Sequence, residues 1–142
     1  MLTDERPTNL TEELIECVVH TFYDRVRQDS MLGPIFEARL GGRWDAHLAN
    51  MVAFWSTVAM RSGRYTGRPH AAHQGLALEH THFARWLQLF ETTVSELCTA
   101  DAAAFLIDRA QRIAESLQIG LNIGLKALDL PPRRAAKTFY KV

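Results

Sequence analysis

Few cysteines, no long apolar run and no excess of either charge mark this chain of 142 residues. Each absence bounds the function. The sixteen basic and sixteen acidic side chains cancel, which argues against a nucleic-acid footprint or a polybasic membrane surface. No apolar run approaches the ~18 residues of a membrane span. The opening MLTDERPTNL carries acidic residues and lacks an apolar centre, so no secretory leader is expected. The two cysteines, Cys17 and Cys98, both lie in apolar helical patterns. They read as buried free thiols in a reducing cytoplasm, with a disulfide as the alternative. There is no Gly-x-Ser-x-Gly, no Gly-rich phosphate loop and no carboxylate pair in an apolar setting, so serine-hydrolase and nucleotide chemistry are not supported. Internal repeats and low-complexity segments are also missing.

What remains is a chain with 47% apolar residues, enough for one folded domain. Asn9-x-x-Glu12 resembles a helix-opening box. Beyond it, Leu10, Leu14, Cys17, Val18, Phe22 and Val26 recur at helical spacing, with Tyr23 beside the stripe. Asp29-Ser30 and Leu32-Gly33-Pro34 read as the end of that helix, after which Ile35-Phe36 turns back to the core. A second helix from Trp44 is apolar on two overlapping faces, one with Trp44, Leu48, Met51 and Trp55, the other with His47, Met51, Phe54 and Val58. A third begins near Thr81 and carries Phe83, Trp86, Leu87, Phe90, Val94 and Leu97. Thr99-Ala100-Asp101 offers a cap, and a fourth helix is expected from Asp101 to about Ala127, stopped by Pro131-Pro132. Strand alternation is absent, so the expected fold is all-α. Residues 1–8 read as a loose lead, 9–130 as the domain and 131–142 as a basic tail.

Ser62 to His82 fits none of these patterns. Four of the six histidines sit there: His70, His73, His80 and His82. A long unperiodic stretch inside a small helical domain is usually functional. The histidines could be metal ligands, although no cysteine or carboxylate joins them at a familiar zinc spacing. Tyr23, His47 and Trp86 are hydrogen-bonding side chains embedded in apolar faces of three different helices. The alternative for each is a bond to a backbone carbonyl. Taken with a histidine from the irregular stretch, they suit a shared cavity holding a flat apolar disc such as haem.

The residues that carry this pattern resemble a known family. Phe22-Tyr23-x-x-Val26-Arg27-x-Asp29, Leu32-Gly33-Pro34-Ile35-Phe36, Trp44-x-x-His47 and Phe54-Trp55 come in order. Tyr65-x-Gly67-x-Pro69-x-x-x-His73 and Phe83-x-x-Trp86-Leu87-x-Leu89-Phe90 follow. In this order the chain, over about Leu14 to Gln118, is similar to the truncated haemoglobins of the third group. The single glycine pair, Gly41-Gly42, stands before the second long helix, which fits that group better than the other two.

The resemblance implies a helix-on-helix globin sandwich with an irregular proximal segment. It implies non-covalent haem b (iron protoporphyrin IX), with His73 as the proximal iron ligand; Cys-x-x-Cys-His, which would attach haem covalently, is absent. It implies Tyr23, Trp86 and His47 on the distal side and Phe36 on the porphyrin face. His47 would gate ligand access or bond iron directly, unless it merely faces solvent at the haem edge. Helical phase adds Met51, Phe54, Leu76, Phe83, Ile113 and Leu117 as pocket lining, while Tyr65 and Arg68 are candidates for the haem propionates. The implied function is binding of O₂, NO and other diatomic ligands in the cytoplasm, by a monomer or weak dimer with no nucleic-acid or membrane partner. Two distal donors would hold O₂ tightly, which favours NO-detoxifying or peroxidase-like chemistry, supplied by a reductase, over simple transport. The rivals are a non-haem metal-binding regulator using the cluster from His70 to His82, and a helical interaction module without cofactor. A Soret band and bound iron are expected of the purified protein, whereas the regulator would carry zinc without a Soret band. His73→Ala should remove retained haem; its removal by His70→Ala instead would overturn the assignment.

Overall fold

The computed structural model describes residues 9–65, 67, 73 and 78–121. Five α-helices follow in order among them: α1 (Glu12–Gln28), α2 (Leu32–Leu40), α3 (Trp44–Met60), α4 (His80–Leu97) and α5 (Ala100–Gly120), with no strand. The expected all-α architecture is therefore present. α1 packs against α2, α3 and α4, and α4 against α5. None of the described helices is long and apolar enough to cross a membrane.

Local chemistry explains where each helix starts. Thr11, not Asn9, caps α1, its side chain accepting the Leu14 N–H. Glu12 is thus left free to reach across to α3. Thr99 caps α5 through the Ala102 N–H, as the sequence suggested. The described part of α5 closes at Gly120; its expected continuation to Ala127 lies outside the described residues. α2 is the element that pattern reading missed, because Leu32-Gly33-Pro34 looked like a stop. Proline is tolerated in a first helical turn, where its missing N–H has no intrahelical partner. Asp29 supplies the acceptor there, its Oδ2 taking the N–H groups of Met31 (3.1 Å) and Leu32 (2.9 Å). Gly33 is required by close approach: a Cβ there would meet the Arg27 carbonyl oxygen at 2.6 Å.

The core runs along α1. Ile15, Val18, Val19, Phe22, Tyr23 and Val26 are buried, while Cys17 is exposed, so the buried-thiol reading fails for that residue. It lies on the outer edge of the stripe, where the sequence placed it one position too far round. Phe90 of α4 is 1% exposed. Its ring meets Phe22 edge-on at 5.2 Å and stacks on Trp55 at 4.9 Å and Trp86 at 5.7 Å. The start of the irregular stretch is held by polar contacts. Ser56, fully buried in α3, donates to Glu12 Oε2 at 2.6 Å and lies 2.8 Å from the Ser62 hydroxyl. Arg64 reaches the other Glu12 oxygen at 2.6 Å. The Tyr65 N–H donates to Thr57 Oγ1.

Phe90→Ala should destabilise the protein by about 3–5 kcal/mol, since it removes a ring from three aromatic contacts. Arg64→Ala, which breaks an exposed ion pair, should cost under about 1 kcal/mol. Urea unfolding of both variants gives the comparison.

Candidate functional site

The sequence-derived distal residues come together from three helices. Tyr23 is 4% exposed on α1, and burial drives its hydroxyl pKa well above the ordinary range. The Trp86 indole N–H of α4 donates to that hydroxyl oxygen. The Trp86 ring is locked flat on Phe90, with a 7° interplanar angle, and edge-on to Phe22 at 5.6 Å. His47 of α3 stands perpendicular to the Tyr23 ring at 4.9 Å. Phe36 of α2, half-buried, meets Tyr23 at 5.9 Å and His47 at 6.4 Å. The result is a small polar spot inside an aromatic cage.

Two atoms in that cage remain chemically open. The Tyr23 oxygen accepts from Trp86, so its own proton is left to donate elsewhere. The Nε2 of His47 is buried and has no hydrogen-bond partner among the described residues. Such a group is costly unless something occupies the space beside it. Burial, and then the charge of His73, bring the His47 pKa down to about 4. His47 is therefore neutral at ordinary pH. His73 itself is half-buried and helical.

Of the remaining candidates, those described lie in or against the hydrophobic core. Phe54, Phe83, Ile113 and Leu117 keep 8, 7, 7 and 6% exposure, against 0–1% for Val26, Phe22 and Phe90. All four belong to the buried core cluster. Met51 is half-buried on α3. Tyr65 is half-buried, its ring edge-on to Phe54 at 5.0 Å, and burial raises its pKa. Arg68, His70 and Leu76 lie outside the described residues.

His80 and His82 are otherwise engaged. A His80 ring nitrogen is 2.7 Å from Gln118 Oε1, and His82 Nδ1 accepts the Glu79 N–H as part of the α4 cap. Both belong to helix α4, so the irregular stretch is shorter than the sequence suggested. Among the described residues no group of three His, Cys, Asp or Glu side chains is arranged to hold a metal ion.

Sequence reasoning underrated Trp44. Its ring stacks on Phe36 at 6.3 Å, faces His47 at 5.8 Å, and carries the Arg27 guanidinium at 4.4 Å. Its indole N–H donates to Glu37 at 3.0 Å. The signal was available in Trp44-x-x-His47, since a three-residue step shares one helix face.

Comparisons with known proteins show the family. Residues 10–118 match the bacterial-like globin family. Over 113 residues the chain is 32% identical to the group 3 truncated hemoglobin ctb of Campylobacter jejuni, covering 77% of this chain and 89% of that protein. The crystal structure of group III truncated hemoglobin from Campylobacter jejuni matches with a TM-score of 0.76 at 31% identity. That match covers 82% of this chain and 94% of the other.

The depressed His47 pKa has a measurable consequence. The unfolded chain takes up a proton at this side chain near pH 6.5, whereas the folded protein refuses it until about 4. Stability should therefore fall as pH drops from about 6.5 to 4 and level off below, by an amount of order 2 kcal/mol after solvent screening. Denaturation of the haem-free protein across this range should show the loss, and His47→Gln should remove that component.

Proposed function

The chain belongs to the bacterial-like globins and, within them, to the truncated haemoglobins of group 3; from that premise we propose a haem b protein that binds O₂ tightly and carries out redox chemistry on the bound gas. A globin holds haem and takes small diatomic ligands. The observation that carries the finer reading is the pair of open polar atoms in one aromatic cage, the Tyr23 hydroxyl proton and His47 Nε2. A polar guest in that space satisfies both, and the apolar side chains of Phe54, Phe83, Ile113 and Leu117 suit a flat porphyrin.

His73 is the proposed iron ligand, with Phe36 against the porphyrin face. Met51, Phe54, Phe83, Ile113 and Leu117 line the pocket. Tyr65 is proposed at the propionate edge, and Leu76 and Arg68 complete the set proposed from the sequence. When bound, the haem supplies an iron that takes a diatomic gas and exchanges single electrons. Tyr23 donates its proton to a ligand that draws negative charge, and does so far less effectively to neutral CO. Trp86 orients that hydroxyl by occupying its acceptor side. Neutral His47 offers a further polar atom without bringing a charge into the cage, and its ring controls access beside Tyr23.

A hydrogen bond to a charged acceptor contributes about 1.5–3 kcal/mol, equivalent to roughly 10- to 150-fold in release rate. Retention of that order is poor for a carrier and gives a second reactant time to arrive. NO is the proposed co-substrate, with O₂ + NO + e⁻ giving nitrate and a reductase returning the electron. A peroxidase-like cycle is the related alternative within the same pocket.

Stopped-flow O₂ release measures the contributions of the Tyr23 donor and of its Trp86 support. Tyr23→Phe should speed release by about 10- to 150-fold. Trp86→Phe, which removes only the support, should have a smaller effect of about 3- to 10-fold. Fast release in the unmodified protein, or an unchanged rate in Tyr23→Phe, would refute the donor assignment.

A further inference from the structure

Asp29 closes α1 one residue after its last turn, and its side chain is only 5% exposed. The other paired carboxylates are 44–57% exposed. Its Oδ2 is fixed by the Met31 and Leu32 N–H groups. Its Oδ1 receives two Arg85 nitrogens, Nε at 2.7 Å and Nη2 at 2.6 Å. The remaining Arg85 nitrogen, Nη1, donates to Gln88 Oε1 at 2.7 Å, within the same helix. The guanidinium is thus clamped at both ends, in a planar fork geometry that lysine cannot reproduce.

Arg85 immediately precedes Trp86. We propose that Arg85 is a positioning residue for the ligand pocket: held by Asp29, it sets the rotation of α4 that keeps the Trp86 indole on the Tyr23 hydroxyl. The inference rests on the reading of Tyr23 as the ligand's donor. The tolerance is small. An indole nitrogen lies roughly 6 Å from its helix axis, so a rotation of about 20° moves it about 2 Å, enough to break a hydrogen bond. The clamp joins the end of the helix that carries Tyr23 to the turn that carries Trp86. The two partners of the polar bond are thereby referred to one another through the backbone. A pair that only capped α2 would need Asp29 and its two N–H contacts, but not the fork from α4.

The test uses the haem-loaded protein in its CO form for NMR and its O₂ form for stopped-flow. Arg85→Gln, Arg85→Lys, Trp86→Phe and the Arg85→Gln/Trp86→Phe double variant are compared. Thr99→Ala, which removes the cap of α5 beyond the far end of α4, is the control for lost stability alone. Arg85→Gln should shift the Trp86 indole N–H resonance and speed its exchange with solvent. It should also accelerate O₂ release by about 3- to 10-fold, with Arg85→Lys intermediate. In the Trp86→Phe background the same change should alter release by less than about twofold, because the effect travels through Trp86. Thr99→Ala should lower the urea midpoint and leave resonance and release rate in place. An unmoved indole resonance in Arg85→Gln, or an equal factor in both backgrounds, would overturn the proposal. If the resonance moves while Tyr23→Phe leaves O₂ release unchanged, the positioning role stands and the donor reading of Tyr23 falls.

Discussion

The hydrogen bond from the Trp86 indole to the buried Tyr23 oxygen joins α1 to α4, and the polar interior depends on it. A hydroxyl has one proton to give. Once its oxygen accepts from Trp86, that proton has a direction, and the direction is away from the indole. Burial makes the bond hard to exchange for water and keeps the phenol protonated well past ordinary pH. The surrounding rings turn a weak preference into a fixed one. Trp86 cannot tilt without lifting off Phe90, and Phe90 cannot move without disturbing Trp55 and Phe22.

His47 illustrates what such a cage does to an ionisable group. Few polar neighbours stand near it, and burial outweighs every other influence on its protonation. The same low-polarity surroundings that suppress its charge strengthen any hydrogen bond made to a guest. A charged imidazole would instead bring a fixed positive charge with its own hydration demand. Neutrality leaves the imidazole one N–H and one lone pair and brings no charge beside Tyr23.

Much of this was legible from spacing. The long helices announce themselves by apolar residues at three- and four-residue steps, and Thr99 by its position before a new stripe. Tyr23, His47 and Trp86 were visible because each interrupts an apolar face with a hydrogen-bonding tip. α2 was hidden because Pro34 signals a stop unless an upstream acceptor is known, and that acceptor, Asp29, had been read as part of a helix end. Cys17 shows the limit of a stripe: one position on a helix turns a side chain by about 100°, enough to carry it from core to solvent. The Asp29–Arg85 pair was illegible for another reason. Its members are 56 residues apart, and no local period connects them.

α1 supplies the common frame for both sides of the candidate pocket. In its first turn Glu12 holds Ser56 and Arg64, and with them the chain that leads from α3 toward His73. Two-thirds of the way along, Tyr23 meets Trp86 and His47. Just past its end, Asp29 fixes both α2 and Arg85. From Glu12 to Tyr23 the helix rises about 16 Å, a rigid spacing that no loop would maintain. The two attachments differ in kind. Around Tyr23 the structure is held by buried ring packing, which yields only with the core. At the start of the stretch after α3 it is held in part by the half-exposed Glu12–Arg64 pair, which opens at lower cost. The Tyr23 end is therefore tied to the core itself: a change that loosens the Trp86 indole must also disturb its packing on Phe22 and Phe90.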